Sequence, residues 1–143
     1  MTLHLIKLCV GVDTVQELRD WHEKKIAQRK RMKPPRLWHV TRMMPKRREE
    51  ILDGGSLYWV IKGFVQVRQP IVALEAMTDE DGVACCRIRL AEKLVPVVLT
   101  PHRPFLGWRY WPAANAPADL RAGQRQDALP PALLKELSDL GLA

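Results

Sequence analysis

Leucine, isoleucine and valine crowd the first positions of the chain, from Leu3 to Val10, and Gly11 ends the run. A short apolar stretch closed by glycine predicts a buried strand, with His4 and Lys7 as its polar interruptions. The period then changes. Val15, Leu18, Trp21 or His22, and Ile26 recur at helical spacing. That predicts an amphipathic helix from about Thr14 to Arg31, with Asp13 as N-cap and Gln16 as capping-box partner. Pro34-Pro35 must end it, because neither residue donates a backbone hydrogen bond and each disfavours helix before it. Leu37 to Met44 alternates partly through Trp38, Val40 and Arg42 and predicts a second strand. Pro45 can open a short helix over Lys46 to Leu52, stopped by Asp53-Gly54-Gly55.

The clearest strand pattern runs from Ser56 to Arg68. Leu57, Trp59, Ile61, Val65 and Val67 fall on one face, expected to be core. Tyr58, Val60, Lys62, Phe64, Gln66 and Arg68 fall on the other, expected to meet water or a ligand. Pro70 is expected to interrupt the strand. Ile71 to Met77 and Val83 to Leu90 then read as a hairpin about the turn Thr78 to Gly82, and Leu94 to Leu99 as a further short strand. Strand, helix, strand, helix and a meander describe an α+β domain. Its sheet is single and mixed, or a small, partly closed barrel flanked by helices; a ferredoxin-like arrangement is the alternative. The domain is expected to cover residues 1–120. Residues 121–143 read as linker and a short C-terminal apolar helix, the linker composition starting already at Pro112. Leu133, Leu134 and Leu137 give that helix an apolar side for docking on this domain or on a protein partner.

Composition narrows the class. No apolar run among the 143 residues approaches a membrane span, and the start lacks the basic cluster and cleavage site of a secretory signal. Cys9, Cys85 and Cys86 cannot all pair, so reduced thiols and a cytoplasmic protein are expected. The net charge of +7 comes from one stretch: Lys24 to Arg48 holds eleven bases and no acid, while the segments on either side are each slightly acidic. Its members are Lys24, Lys25, Arg29, Lys30, Arg31, Lys33, Arg36, Arg42, Lys46, Arg47 and Arg48. Such a block attracts phosphates, and Trp38 within it suits base stacking. The plainer reading is a solvated, solubilising surface.

Catalytic signatures are missing. The histidines and cysteines lack metal-ligand spacing, Gly54-Gly55 precedes a strand and so is no phosphate loop, and no metal or cofactor is expected. Lys62 and Glu75 are the catalytic candidates, though a structural salt bridge is the simpler role for Glu75. The stretch Pro101 to Trp111 packs four of the nine aromatics with two arginines and a histidine. It reads as a core-closing strand or as a stacking and cation–π surface, Trp108, Arg109 and Tyr110 joining Tyr58, Lys62, Gln66 and Arg68 around a ligand. There Lys62 would serve as catalyst or anchor and Arg68 as anion clamp.

The segments LHLIKLCVG, HVTRMMPKR, LDGGSLYWVIKGFVQVRQ and RPFLGWRYW resemble the alphaproteobacterial family called domain of unknown function 1489, over Thr2 to Leu120. The resemblance implies a bacterial cytoplasmic protein and transfers no catalytic residue; the tail from Arg121 lies beyond it. A helix ending in ILDGG before a strand with Lys62 and Arg68 is similar, more distantly, to the PUA-like fold and its ASCH branch. That implies a small barrel binding RNA or modified bases. The Lys and Glu pairing usual in the ASCH opening motif departs here, with no Glu between Lys62 and Arg68. The functional expectation is therefore an RNA-binding module, with a small enzyme or ligand-binding domain for a nucleotide-like molecule as the alternative.

Overall fold

The computed structural model describes residues 2–120. In chain order the elements are β1 (Leu3–Leu8), α1 (Val15–Gln28), β2 (Leu37–Thr41), α2 (Arg48–Leu52), β3 (Ser56–Ile61), β4 (Phe64–Thr78), β5 (Ala84–Leu90), β6 (Val95–Pro101) and β7 (Trp108–Pro112). The seven strands make one open mixed sheet in the order β2-β5-β4-β3-β1-β7, with β6 paired to β4. β1 and β3 run parallel, and the remaining neighbours antiparallel. This is the expected α+β class with a single mixed sheet. The ferredoxin-like alternative does not hold: its βαββαβ order is absent, because the second helix follows β2 directly and β3 to β7 then come in succession.

α1 begins one residue later than its sequence suggests. Asp13 with Gln16 and Thr14 with Glu17 offer two capping frames one step apart, and the second wins. Thr14 Oγ1 accepts the Glu17 N–H at 3.1 Å, and Glu17 reaches back to the Asp13 N–H. The helix buries Leu18 and His22 and stops at Gln28, ahead of the prolines.

Ser56 to Arg68 is two strands, not one. Lys62 (φ 52°) and Gly63 (φ 82°) form a two-residue hairpin turn, both in the left-handed region. A register shift then sets Trp59 opposite Val67 but Val60 opposite Val65, leaving Gln66 bulged. The turn places Val65 on the face of Val60, and the bulge returns Val67 to the face of Trp59. Leu57, Trp59, Ile61 and Val67 pack in the main core with Leu3, Leu5, Leu18 and Ile88. Tyr58, Val60 and Val65 pack in a second core with Ile6, Val97 and Phe105. Both faces of β3 are buried, so the second face does not open to water or ligand as expected.

Pro70 does not end its strand. β4 runs 15 residues through it, and the Pro70 carbonyl accepts the Ala91 N–H at 2.9 Å. β6 pairs with the first part of β4 and β5 with the second, across a register shift between Ile71 and Ala73. Residues 112–120 are docked and not a free linker: the Val98 N–H donates to Ala118 O, and the Leu120 N–H to Pro96 O, each at 2.9 Å. The expected linker beyond them and the C-terminal helix with Leu133, Leu134 and Leu137 lie outside the described residues. No helix among the described residues is long and apolar enough to cross a membrane.

Candidate nucleic-acid interface and aromatic cavity

Elements of the main-core layer line a cavity of about 300 Å³ together with the turn that follows β1. β1 and that turn bring Lys7 and Cys9, α1 brings Trp21 and His22, β2 brings Trp38 and His39, and β3 brings Trp59. The strand alternation explains Lys7. It shares the face of Leu3 and Leu5 and stands beside Trp59 in the parallel β1–β3 register. Leu18, Leu37 and Leu90 supply apolar contacts, and no carboxylate lines the space. His39 meets Trp59 edge to face at 5.5 Å, and His22 is tilted against Trp21 at the same separation.

Burial sets the charge states. It pulls both imidazoles down to about 4, with Arg19 adding to the effect at His22 and Lys7 at His39, so both rings are neutral at physiological pH. Burial also pushes the Cys9 thiol up to about 11, which makes it an inert thiol and a poor nucleophile. The same desolvation lowers Lys7.

The two histidines predict an acid-sensitive fold. Each has a folded pKa below its unfolded value near 6.5, so below that value the unfolded chain binds more protons. Stability is full above about pH 6.5 and is lost as pH falls toward 4, by on the order of 3 kcal/mol per histidine. Melting temperature measured across that window should drop, and His39→Gln should flatten the drop. An unchanged profile in the variant would remove His39 from this account.

The basic block divides in two. Arg36 makes a bidentate pair with Glu92, Arg42 pairs with Asp79 and Arg47 with Glu50, while Arg48 donates to the Leu74 carbonyl. These four are engaged within the protein. The other part is contiguous: Lys24, Lys30, Arg31 and Lys33 are exposed, and Lys25 and Arg29 half-buried. Lys25 lies over the Trp21 ring at 5.4 Å and Arg29 over the Trp38 ring at 3.7 Å. Lys46 is exposed in the β2–α2 connection, apart from this cluster. Trp38 was expected to stack on bases, but its ring already carries Arg29, with Arg87 at 5.0 Å and Arg89 at 5.6 Å. It organises guanidinium groups beside the cavity.

The second set of expected ligand residues is dispersed. Lys62 sits in the β3–β4 turn, 61% exposed and 3.9 Å from Asp13, rather than on a strand face with Gln66 and Arg68. Gln66, in the bulge, donates to the Ile61 carbonyl at 2.6 Å. Arg68 grips both oxygens of Asp119 and the buried Ser56 hydroxyl, and so ties residues 112–120 to the sheet. Tyr58 is buried in the second core, edge-on to His4. Trp108 donates to the Met43 carbonyl, and the Tyr110 hydroxyl accepts from the Lys46 and Arg47 N–H groups, so both anchor the β2–α2 connection. Arg109 lies over Phe105 at 4.8 Å. Glu75 bonds Arg89 at 2.7 Å with Arg87 at 3.9 Å, a salt bridge to β5 and not to Lys62 or Arg68, the latter being on its own strand. Neither Lys62 nor Glu75 lines the cavity.

Sequence reasoning missed Lys7, Cys9, His22 and His39 as a group. Two signals pointed to them: a lysine on the buried parity of β1, and a Trp-His dipeptide occurring twice, at Trp21-His22 and Trp38-His39. Among the described residues no group of three or more histidines, cysteines and carboxylates could hold a metal ion. A family model described as Protein of unknown function (DUF1489) matches residues 5–143. The match therefore runs on through the tail that the motif resemblance had left out. No curated protein and no solved structure matches the chain.

Proposed function

The chain belongs to the DUF1489 family, and from its site we propose that it is an RNA-binding module whose contact surface is the end of α1 and the loop after it. One observation carries this reading. Once the bases engaged in ion pairs or carbonyl contacts are set aside, Arg29 with its bond to the Arg36 carbonyl among them, Lys24, Lys30, Arg31 and Lys33 remain exposed to solvent along the end of α1 and the loop after it, while Trp21 of α1 and Trp38 of β2 line an aromatic cavity. Lys24, Lys30, Arg31 and Lys33 are suited to phosphate contacts, which position a strand without reading its sequence. Single-stranded RNA fits better than a duplex, because unstacked bases can reach aromatic side chains.

About four phosphate contacts on a single strand predict a loss of roughly 50-fold in affinity between about 50 and 200 mM salt. Fluorescence anisotropy with a labelled single-stranded RNA measures it. Lys30→Glu with Lys33→Glu should abolish most of the binding while leaving the melting temperature within a few degrees. Absence of binding at the lower salt concentration ends the proposal.

A further inference from the structure

We propose that the cavity between α1, β2 and β3 receives a single unpaired nucleobase with its adjoining phosphate. This deepens the RNA reading and rests on it only for the source of the base. The shape is a slot walled by Trp21, Trp38 and Trp59, and its volume of about 300 Å³ admits a purine. Two of its polar side chains, His22 and His39, make no hydrogen bond of their own among the described residues. His22 is only 6% exposed. The buried side-chain nitrogens left without a partner among the described residues are Arg87 Nε and Trp111 Nε1, not these, so the imidazole nitrogens stay open to the cavity and can pair with a ligand or a water. A neutral imidazole presents one donor and one acceptor. Two of them match the alternating donors and acceptors on the edge of a base and match an aliphatic guest poorly.

Charge fixes the rest. The Lys7 ammonium lines the cavity with no carboxylate beside it, and Lys25 and Arg29 lie on two of the wall tryptophans. That set repels organic cations and favours a planar guest carrying an anion. The base can come from a bound RNA or from a free mononucleotide, and the measurement separates the two.

Adenosine and uridine 5′-monophosphates are titrated against the full chain, with tryptophan fluorescence as readout. In parallel, a ten-residue oligouridylate is compared with the same sugar-phosphate backbone lacking bases. Saturable quenching by a mononucleotide is expected, weakened at least tenfold by Lys7→Met and by His39→Ala. Should His39→Ala fail to fold, Lys7→Met at a half-exposed position carries the comparison. Lys30→Glu with Lys33→Glu should weaken the oligonucleotide and spare the mononucleotide. Mononucleotide binding without RNA binding keeps the cavity assignment and discards the RNA module. RNA binding that is indifferent to the missing bases, with no mononucleotide quenching, does the reverse. Quenching that Lys7→Met and His39→Ala leave unchanged overturns the cavity as the site.

Discussion

Trp59→Ala is expected to destabilise the fold by about 3–5 kcal/mol, a large part of an ordinary domain's total. Trp59 is 4% exposed at the centre of the main core, and truncation leaves a cavity that β3, paired on both edges, cannot close. It also strands a polar group. The indole N–H donates to Gln69 Oε1 at 3.1 Å, and Gln69, fully buried, donates in turn to the Ala91 carbonyl at 2.8 Å. Without the indole that amide oxygen is left unpaired in an apolar layer. Trp59→Phe keeps most of the packing and loses the hydrogen bond, so it should cost clearly less. Denaturant melts of the two variants measure both parts. A loss below about 1 kcal/mol for the alanine variant would mean that the core relaxes around the gap.

Gly55→Ala is expected to cost about 3 kcal/mol or more, the upper range of overpacking, or to yield no folded protein. A Cβ at this position lands on the carbonyl oxygens of Ile51 and Leu3, far inside van der Waals contact. Both are backbone atoms, so no side chain can swing aside. The glycine is also locked by its own bonds, its N–H to Ile51 O at 2.8 Å and its carbonyl to the Ile71 N–H at 3.0 Å. Its neighbour gives the contrast. Gly54, at φ 84°, has nothing closer to a built Cβ than Thr2 Oγ1 at 3.9 Å. Gly54→Ala therefore carries only the left-handed backbone penalty, about 1 kcal/mol. Thermal melts should rank the two in that order; equal losses would place the constraint in backbone conformation and not in close approach.

Local chemistry made much of this fold legible. The α1 stripe, the Asp53-Gly54-Gly55 stop and the turn ahead of β5 lie where the residues indicate. What failed depended on features without a local signature. Lysine is an uncommon residue at φ 52°, so the Lys62-Gly63 turn read as continuous strand. That turn shifts the side-chain parity by one, which misplaced Val65, and the bulge at Gln66 shifts it back at Val67; Lys62, in the turn, and Gln66, in the bulge, therefore share no strand face with Arg68. The site was less legible still. Its basic half is contiguous in sequence and was visible. The cavity joins Lys7, His22, His39 and Trp59 from four elements, and only non-local strand pairing brings them together. Charge counting also could not separate Lys30 or Lys33 from Arg36, whose partner Glu92 lies 56 positions downstream.

The position of β1 has a kinetic consequence. It is made before the other described strands, yet it is an interior strand whose Leu5 pairs with Leu57 on one edge and Tyr110 on the other. During synthesis an apolar ribbon must wait for partners roughly fifty and one hundred residues later. Long-range closure of this kind slows folding and leaves strand edges exposed meanwhile. A nascent chain halted before β7 would hold β1 with one edge bare, so the arrival of β7 decides whether the newborn chain assembles or sticks to its neighbours.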